Sequence, residues 1–323
     1  MVFGLPDGTV QTTGLTTGHT NRKGRVMSVV TEAVGRRMTL GDICSRYGFE
    51  LVPQFAGSVT ITSISSDIDS IMPGALFTPL QDVDAETLHI AHTRGAYAAI
   101  VPHTSEQVGR QAGYPVIIAQ PTPEQIGALA ASIAGEPSHA LAVFAVGGQD
   151  GDEVQATAIR LATFLHMLGN PVGQVNAAGS SSLERQLNLS YPLDIYDIQH
   201  TMAVCAEDGA AAIIIALEPG TLADHALEGT SVDVAGSCDA LTPTLLKTTL
   251  ADWTQRYGLS LEGNNQMIYQ RDAETDEIAA EAVDGSAGVG DASRLSLSIA
   301  MVMAAGVRKS NIRNALRVSS EMQ

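Results

Sequence analysis

Residues 145–169 read AVGGQDGDEVQATAIRLATFLHMLG, and this stretch decides the fold class. The apolar run LAVF precedes it and a long helical pattern follows, so the sequence predicts a strand, a glycine-bearing turn and a helix. That order is typical of a phosphate-binding loop, in which glycines let the backbone wrap a phosphate while a lysine and a hydroxyl supply charge and a magnesium ligand. Here Gly151 is followed by Asp152 and Glu153. The frame of a nucleotide loop therefore carries two carboxylates where a cation and a hydroxyl are expected.

Apolar runs without alternation continue around this loop. They are LAVFAV, PVGQVN, AAIIIAL and SVDVAG, and helical patterns such as DIYDIQHTMAVCAEDG and TPTLLKTTLADWTQRYG separate them. Continuous apolar strands are typical of a parallel sheet that is buried on both faces. Residues 138–323 are therefore predicted to form a doubly wound, mostly parallel α/β domain with right-handed crossovers.

A smaller α/β domain is predicted over residues 38–137. Short apolar runs there, including SVTITSIS, ALFTPL, AYAAIVP and YPVIIAQ, alternate with helical stretches. Residues 1–37 are rich in Thr, Gly and Arg with weak periodicity, which predicts a mobile leader. That leader carries five Lys or Arg residues against Asp7 and Glu32.

Composition narrows the class of protein. The net charge is −17, so nucleic acid and anionic membranes are poor partners for the folded part. Cys44, Cys205 and Cys238 are far apart and odd in number, which favours reduced cysteines. No apolar run approaches the roughly 18 residues of a membrane span, and none near the N-terminus suits a signal peptide. We therefore expect a soluble cytoplasmic protein without membrane insertion.

Four stretches together resemble the first two domains of the Mur ligase family, the ATP-dependent amino-acid-adding enzymes of peptidoglycan precursor synthesis, and in particular its tripeptide synthetases. They are SSDIDSIMPGALFTPLQDVDAETLHIAHTRGAYAAIV (65–101), LAVFAVGGQDGDEVQATAIRLATFLHMLGNPVG (141–173), IIIALEPGTLADHALEGTSVDVAG (213–236) and VGDASRLSLSIAMVMAAGVRKSNIRNALRVSS (289–320). The resemblance implies a central domain of the P-loop type. It also implies a third, C-terminal ligase domain, which we expect to be absent because the chain stops where that domain would start.

The chain departs from this family at each expected site. The degenerate loop comprises Gly148, Gln149, Asp150, Gly151, Asp152 and Glu153, and the family's lysine and magnesium-binding hydroxyl fall on the last two. The Asp-Ser-Arg motif becomes Asp67, Ile68 and Asp69, and the Thr-Thr-Pro motif becomes Ser190, Tyr191 and Pro192. Glu218 matches the magnesium-binding glutamate but is followed by Pro219 and Gly220. We expect these to be vestigial, with no catalytic residue, cofactor or metal.

The two loop carboxylates have a structural interpretation and a functional one. Carboxylates at a helix N-terminus oppose the helix dipole, so they can simply stabilise the helix that follows the loop. The functional interpretation is a cation site made from Asp150, Asp152 and Glu153. Three other candidates are weaker: His89 and His92 have metal-ligand spacing on a helix, His225 lies in DHAL, and Lys247 is more typical of a solvated helix face.

Loss of lysine, hydroxyl and nucleotide-sugar contacts together predicts a pseudoenzyme that acts as a scaffold or regulator through protein contacts in cell-wall synthesis or division. One alternative is a module that senses a UDP-linked precursor or another metabolite, and a second is an active ligase. The terminal segment RKSNIRNALRVSS is basic in an acidic chain, through Arg308, Lys309, Arg313 and Arg317. It could dock an acidic partner, most simply a second copy, or its bases could pair with the chain's own carboxylates.

Overall fold

Two mostly parallel sheets carry the apolar runs of the sequence. The computed structural model describes residues 38–79, 81–262, 267–282 and 289–321, all within one compact unit. The leader expected over residues 1–37 lies outside these ranges. The predicted α/β class is confirmed, while the domain boundary near residue 137 stays a prediction.

The N-terminal sheet has five strands in the order β2-β7-β6-β5-β4, of which only the β2–β7 pair is antiparallel. A two-stranded ribbon, β1–β3, lies apart from it. In chain order the elements are β1 Met38–Thr39, α1 Leu40–Tyr47, β2 Glu50–Val52, β3 Thr60–Ile61, β4 Ser63–Ser65, β5 Ala75–Phe77, α2 Ala85–Thr93, β6 Ala96–Val101, α3 Glu106–Arg110, β7 Val116–Ile118 and α4 Pro123–Ile133.

The central sheet has seven strands in the order β11-β10-β9-β12-β8-β14-β16. Its elements are β8 Ala142–Gly147, α5 Gly151–Met167, β9 Val172–Val175, β10 Ser180–Ser182, β11 Arg185–Leu187, α6 Ile195–Glu207, β12 Ala212–Leu217, β13 Ser231–Val232, β14 Val234–Ser237, α7 Pro243–Tyr257, β15 Ser260–Leu261, β16 Ile268–Tyr269, α8 Ala273–Ala282, α9 Val289–Ala304 and α10 Lys309–Glu321. Strands β9, β12, β8, β14 and β16 are parallel, whereas the β10–β11 hairpin is antiparallel.

Helices cover both faces of the central sheet, which explains its continuous apolar strands. Phe144 and Ile214 point into a core shared with α5, α8, α9 and α10, while their neighbours Val143 and Ile213 point into a second core shared with α6 and α7. Because successive side chains alternate between faces, a strand covered on both sides is apolar throughout. The predicted doubly wound arrangement is confirmed.

Side chains and backbone join the two sheet regions. Thr78 Oγ1 donates to Tyr196 Oη at 2.6 Å, and Ser66 Oγ donates to Asp194 Oδ2 at 3.1 Å. Helix α4 also approaches the loop before β13 so closely that a Cβ on Gly127 would lie 2.4 Å from the backbone carbonyl of Glu228. Only glycine fits at that crossing.

The basic terminal helix is less available for docking than its sequence suggested. Lys309 pairs with Glu274, and Arg313 Nε lies 3.4 Å from Glu281 Oε2, both on the neighbouring α8. These two cations therefore follow the local-pairing interpretation. No helix in the described part of the chain is long and apolar enough to cross a membrane.

Candidate functional site

The degenerate loop lies at the carboxyl edge of the central sheet. It joins β8 to α5, and the segments that follow the neighbouring strands β12 and β14 begin with Glu218 and Cys238 at the same edge. Ligand sites of open α/β sheets are found at this edge, so the loop lies where such a site would be expected.

The loop's turn depends most on a glycine that the motif comparison did not single out. A Cβ on Gly147 would lie 2.3 Å from the ring of Trp253, so this position excludes any side chain. Gly148 is tight, at 3.2 Å from Cys238 Cβ, while Gly151 has room for a methyl group. Close packing against α7 therefore fixes the path of the loop.

Asp150 is the N-cap of α5. Its Oδ1 accepts a hydrogen bond from Asp152 N at 3.1 Å, which satisfies one of the donors left free at a helix start. Asp152 itself is exposed to solvent. The capping role expected for loop carboxylates thus belongs to Asp150.

Glu153 forms an ion pair that the sequence analysis missed. Arg294, on α9, donates through Nη2 to Glu153 Oε2 at 2.6 Å and through Nε to Glu153 Oε1 at 3.1 Å. The Glu153 side chain is 34% exposed and the Arg294 side chain is 30% exposed. This forked geometry raises the pKa of the guanidinium above its already high value, mainly through the hydrogen bonds to Glu153. Glu153 therefore binds a cation of its own chain rather than serving only the helix dipole.

The alternative of a cation site at Asp150, Asp152 and Glu153 is wrong. Within residues 38–79, 81–262, 267–282 and 289–321, no group of three His, Cys, Asp or Glu side chains is placed to hold a metal ion. Asp150 faces its own helix and Glu153 faces Arg294, so the three carboxylates do not converge.

Asp239 supplies the most informative contact at the loop. Its Oδ2 accepts the backbone N–H of Gln149 at 2.9 Å. In a phosphate-binding loop such backbone N–H groups point at the phosphate oxygens. In this protein the Gln149 N–H donates instead to the Asp239 carboxylate of the same chain. Asp239 lies just after β14 in the stretch SCDALTP, which has no local pattern that indicates a site.

Glu218 is buried, 6% exposed, and its carboxylate is fully engaged by neighbours. Gly220 N donates to Oε2 at 2.7 Å, Gln155 Nε2 donates to Oε1 at 3.1 Å, and Thr221 Oγ1 also donates to Oε1. A buried carboxylate needs such donors, because burying a charge without partners is costly. The glutamate that matches the family's magnesium ligand, and that we expected to be vestigial, therefore serves the packing between β12 and α5.

A cleft of about 460 Å³ opens beside the Glu153–Arg294 pair. Its lining includes four acids and two arginines, namely Glu153, Asp239, Asp272, Asp276, Arg271 and Arg294. Arg271 is already engaged, since its Nη1 donates to Ser293 Oγ at 2.7 Å and lies 3.6 Å from Asp276 Oδ1. The cleft is open but acidic, which disfavours an anion.

Cys238, at this edge of the sheet, is a free cysteine. Cys44 and Cys205, elsewhere in the chain, are free cysteines as well. Its Sγ lies 3.4 Å from Thr157 Oγ1. Burial raises the pKa of the Cys238 thiol to about 11, and the nearby Glu153 and Asp239 carboxylates add to the effect. The thiol is therefore protonated at neutral pH and is a poor nucleophile.

The other sequence-predicted residues serve local structure. Asp67 caps a short 3-10 turn by accepting from Asp69 N at 3.1 Å, and Asp69 pairs with Arg94. Tyr191, before Pro192, donates through Oη to Asn176 O at 2.8 Å. The structure does not bring these residues to the loop as a catalytic set.

Of the weaker candidates, Lys247 is exposed on α7, as expected of a solvated lysine. His92 stacks on the Tyr114 ring with centroids 4.5 Å apart, and its Nδ1 lies 3.1 Å from Ala96 O. His225 has a positive φ of 62° and lies 3.5 Å from Glu228 Oε1. Both histidines therefore have a structural partner.

Solved structures with a similar fold include UDP-N-acetylmuramoyl-peptide ligases. The chain has a Mur-ligase-like fold. A UDP-N-acetylmuramoyl-L-alanyl-D-glutamate–2,6-diaminopimelate ligase is 13% identical with a TM-score of 0.55, covering 87% of this chain and 66% of that one. A UDP-N-acetylmuramoylalanyl-D-glutamyl-2,6-diaminopimelate–D-alanyl-D-alanyl ligase from Acinetobacter baumannii is 12% identical with a TM-score of 0.52, covering 87% and 68%.

The chain thus spans about two thirds of the length of these ligases. No protein-family model matches the sequence, and no curated protein matches it significantly. At such low identity the likeness concerns the fold, so any activity must be argued from the site.

Proposed function

We propose that this protein is a catalytically inactive, Mur-ligase-like pseudoenzyme that acts as a scaffold or regulator through protein contacts. Its partner is expected in the machinery of peptidoglycan synthesis or cell division, and the simplest partner is a second copy of the chain. The link to the cell wall rests on the likeness of fold to the peptidoglycan ligases alone.

The hydrogen bond from Gln149 N to Asp239 Oδ2 carries the proposal. A nucleoside triphosphate would have to displace that carboxylate and then lie beside its negative charge. Two like charges about 4 Å apart repel by roughly 1 kcal/mol in water and by a few times more in a partly shielded cleft. The Gln149 N–H is therefore already hydrogen-bonded, and the negative charge of its acceptor, Asp239, opposes phosphate binding.

The lost cation strengthens this argument. Asp152 stands where the loop needs a lysine, and the nearby Arg294 is held by Glu153. A phosphate approaching the loop would meet Asp152, Glu153 and Asp239 without a free cation from either arginine of the adjoining cleft. Glu218, with three donors on its two oxygens, also has little capacity left for magnesium.

A sensor of a small metabolite is the second candidate function. A cleft of about 380 Å³ lies at the carboxyl ends of β5, β6 and β7, with Tyr196 of α6 on its wall. That position favours a ligand. Among the residues that the structure describes, however, its lining contains Asp82 and no lysine or arginine. A diphosphate-bearing precursor would find no counter-charge there, which makes this candidate the weaker one.

Turnover of a complete ligase reaction tests the proposal against the third candidate, an active ligase. Purified protein would be incubated with ATP, magnesium, UDP-MurNAc-dipeptide and candidate amino acids, and phosphate release measured beside a Mur ligase as positive control. We expect release no faster than from buffer. Amino-acid-dependent phosphate release would overturn the pseudoenzyme.

Light scattering tests the simplest form of the scaffold. A second copy as partner predicts a mass near twice 33.7 kDa. A strict monomer at high micromolar concentration would exclude the homodimer, so that only a different protein partner could support the scaffold.

A further inference from the structure

A third cleft lies between α5 and the β10–β11 hairpin, and none of its described lining residues also lines the cleft beside the nucleotide loop. Its volume is about 740 Å³, within the range of small-molecule sites. One wall is a stripe of α5 with the spacing of one helix face, comprising Ile159, Ala162, Thr163 and His166. Because α5 turns 100° per residue, this stripe lies on the side of the helix opposite Glu153 and Thr157. Those two residues line the 460 Å³ cleft beside the Glu153–Arg294 pair. We call the cleft between α5 and the β10–β11 hairpin the hairpin cleft.

The walls of the hairpin cleft are apolar and open to solvent. Ile159 is 41% exposed and Leu183, in the hairpin turn, is 36% exposed, while Val172 and Ala162 contribute further apolar surface. Large apolar side chains left exposed around a concavity indicate a binding surface rather than incomplete packing.

Two polar side chains lie together on the floor of the hairpin cleft. Gln174 of β9 is directly opposite Ser181 of β10 in the antiparallel pair, so both point to the same face. Gln174 Nε2 donates to Gly179 O at 3.1 Å, which leaves the buried Oε1 without a hydrogen-bond partner in the described chain. Buried acceptors are normally paired, so this one requires an explanation. Because Oε1 is covered in this structure, a ligand donor would satisfy it after the Gln174 side chain turns toward the cleft.

The charges of the hairpin cleft select against anions. Among the described residues that line it there is one arginine, Arg185, and it is paired with Asp208, which also accepts from Ser182 Oγ at 2.5 Å. Glu184 adds a negative charge. His166 lies on the same wall, but these described residues include no unpaired lysine or arginine for a phosphate or carboxylate.

We propose that the hairpin cleft binds a small, uncharged and largely apolar molecule that presents an N–H donor beside a carbonyl acceptor, as a lactam does. The apolar body lies against Ile159 and Leu183, the N–H donates to Gln174 Oε1, and the carbonyl accepts from the Ser181 hydroxyl. This site is independent of the nucleotide loop and goes beyond the proposed scaffold function.

Quinolin-2(1H)-one is a suitable probe, and its N-methyl derivative is the matched control because it lacks only the donor. Titration of the full chain would be followed by the methyl NMR signals of Ile159 and Leu183. We expect saturable shifts with a Kd below about 1 mM, as for an efficient fragment. The N-methyl compound should bind at least about tenfold more weakly, a loss typical of an unmade hydrogen bond to a buried acceptor. Equal affinities, or no saturation by the lactam, would overturn the proposal.

Two variants locate the site. Thr163→Trp would fill the cleft and should weaken the lactam at least about tenfold. Thr248→Trp is the control, because Thr248 is also an exposed helix threonine whose hydroxyl donates to a preceding carbonyl, at 2.9 Å. It should leave the affinity unchanged. Undiminished binding to Thr163→Trp would place the probe elsewhere and contradict the assignment, and the comparison of the two probes stands even if that variant fails to fold.

Discussion

The Asp239 carboxylate lies 2.9 Å from the backbone nitrogen of Gln149, although the two residues are 90 positions apart in the chain. The end of β14 and the loop after β8 are neighbours at one sheet edge, so the fold itself places the carboxylate over the loop. A loop N–H that would serve a phosphate is thereby used to stabilise the protein. This contact opposes phosphate at the loop more directly than the missing lysine does.

The Glu153–Arg294 pair is expected to contribute to stability. With both side chains about a third exposed, its coupling free energy should be about 1 kcal/mol, less than that of a fully buried pair. Glu153→Gln, Arg294→Met and the double variant form the cycle, measured by urea unfolding.

The more exposed Arg256–Asp224 pair, 3.5 Å apart, provides the control cycle and should give a coupling near zero. Indistinguishable coupling free energies in the two cycles would show that the forked contact has no special role.

Gly127→Ala should destabilise the protein strongly. The added Cβ would lie 2.4 Å from the carbonyl of Glu228, and backbone atoms cannot move aside as a flexible side chain can. We expect a loss of about 3 kcal/mol, at the upper end of overpacking effects. Gly57→Ala is the control, since the nearest atom to its Cβ is 3.7 Å away. Equal thermal midpoints for the two variants would refute the tight crossing.

Tyr196 predicts a stability change at high pH. Burial raises the pKa of its hydroxyl to about 12, above the 10 of an unfolded tyrosine. Between these values only the unfolded state releases the proton, so the contribution is complete below pH 10 and is lost as the pH rises toward 12. Tyr196→Phe should weaken this dependence. It should also cost about 1 kcal/mol at pH 7 through the lost bond from Thr78.

The exposed Tyr97 provides the control for this variant. If Tyr97→Phe changed the alkaline stability profile as much as Tyr196→Phe does, burial of Tyr196 would not be the cause.

Cys238 should react slowly with alkylating agents. With a pKa of about 11, the folded protein holds on the order of 100-fold fewer thiolates at pH 8 than an ordinary cysteine. Iodoacetamide labelling followed by peptide mass spectrometry, in buffer and in urea, measures the difference. Equal labelling rates in the two conditions would contradict the buried environment.

Much of the fold could be predicted from the sequence because long apolar strands and capped helices leave local patterns. β8, β12 and α5 are of this kind. The β10–β11 hairpin could not, since Ser180–Ser182 is polar and was not recognised as a strand. These serines are nevertheless buried. Hydrogen bonds make their burial possible, because Ser182 Oγ donates to Asp208 Oδ2 and Ser180 Oγ lies 2.6 Å from Tyr191 Oη. Tertiary hydrogen bonds, which a local pattern does not contain, make the strand possible.

The sequence singled out the loop but not the contacts that its residues make, and the loop's role as a site stays a prediction. The loop and its unusual carboxylates were evident, whereas their partners Asp239 and Arg294 are 90 and 141 residues away and carry no local signal. Glu153 does lie in the first turn of α5, as the dipole interpretation requires, but its ion pair with Arg294 could not be predicted for that reason. The position of Glu218 was predictable from its strand, but its three donors were not.

Binding of ATP–magnesium tests the central claim most directly. Calorimetry and thermal unfolding of the full chain would be measured with ATP and magnesium from micromolar to millimolar concentration, beside a Mur ligase as positive control. We expect no binding heat and no shift of the unfolding midpoint, because Asp239, Asp152 and Glu153 oppose a triphosphate at the loop. Saturation at micromolar ATP, with the roughly 2.7 kcal/mol of stabilisation expected at 100 times Kd, would contradict the account.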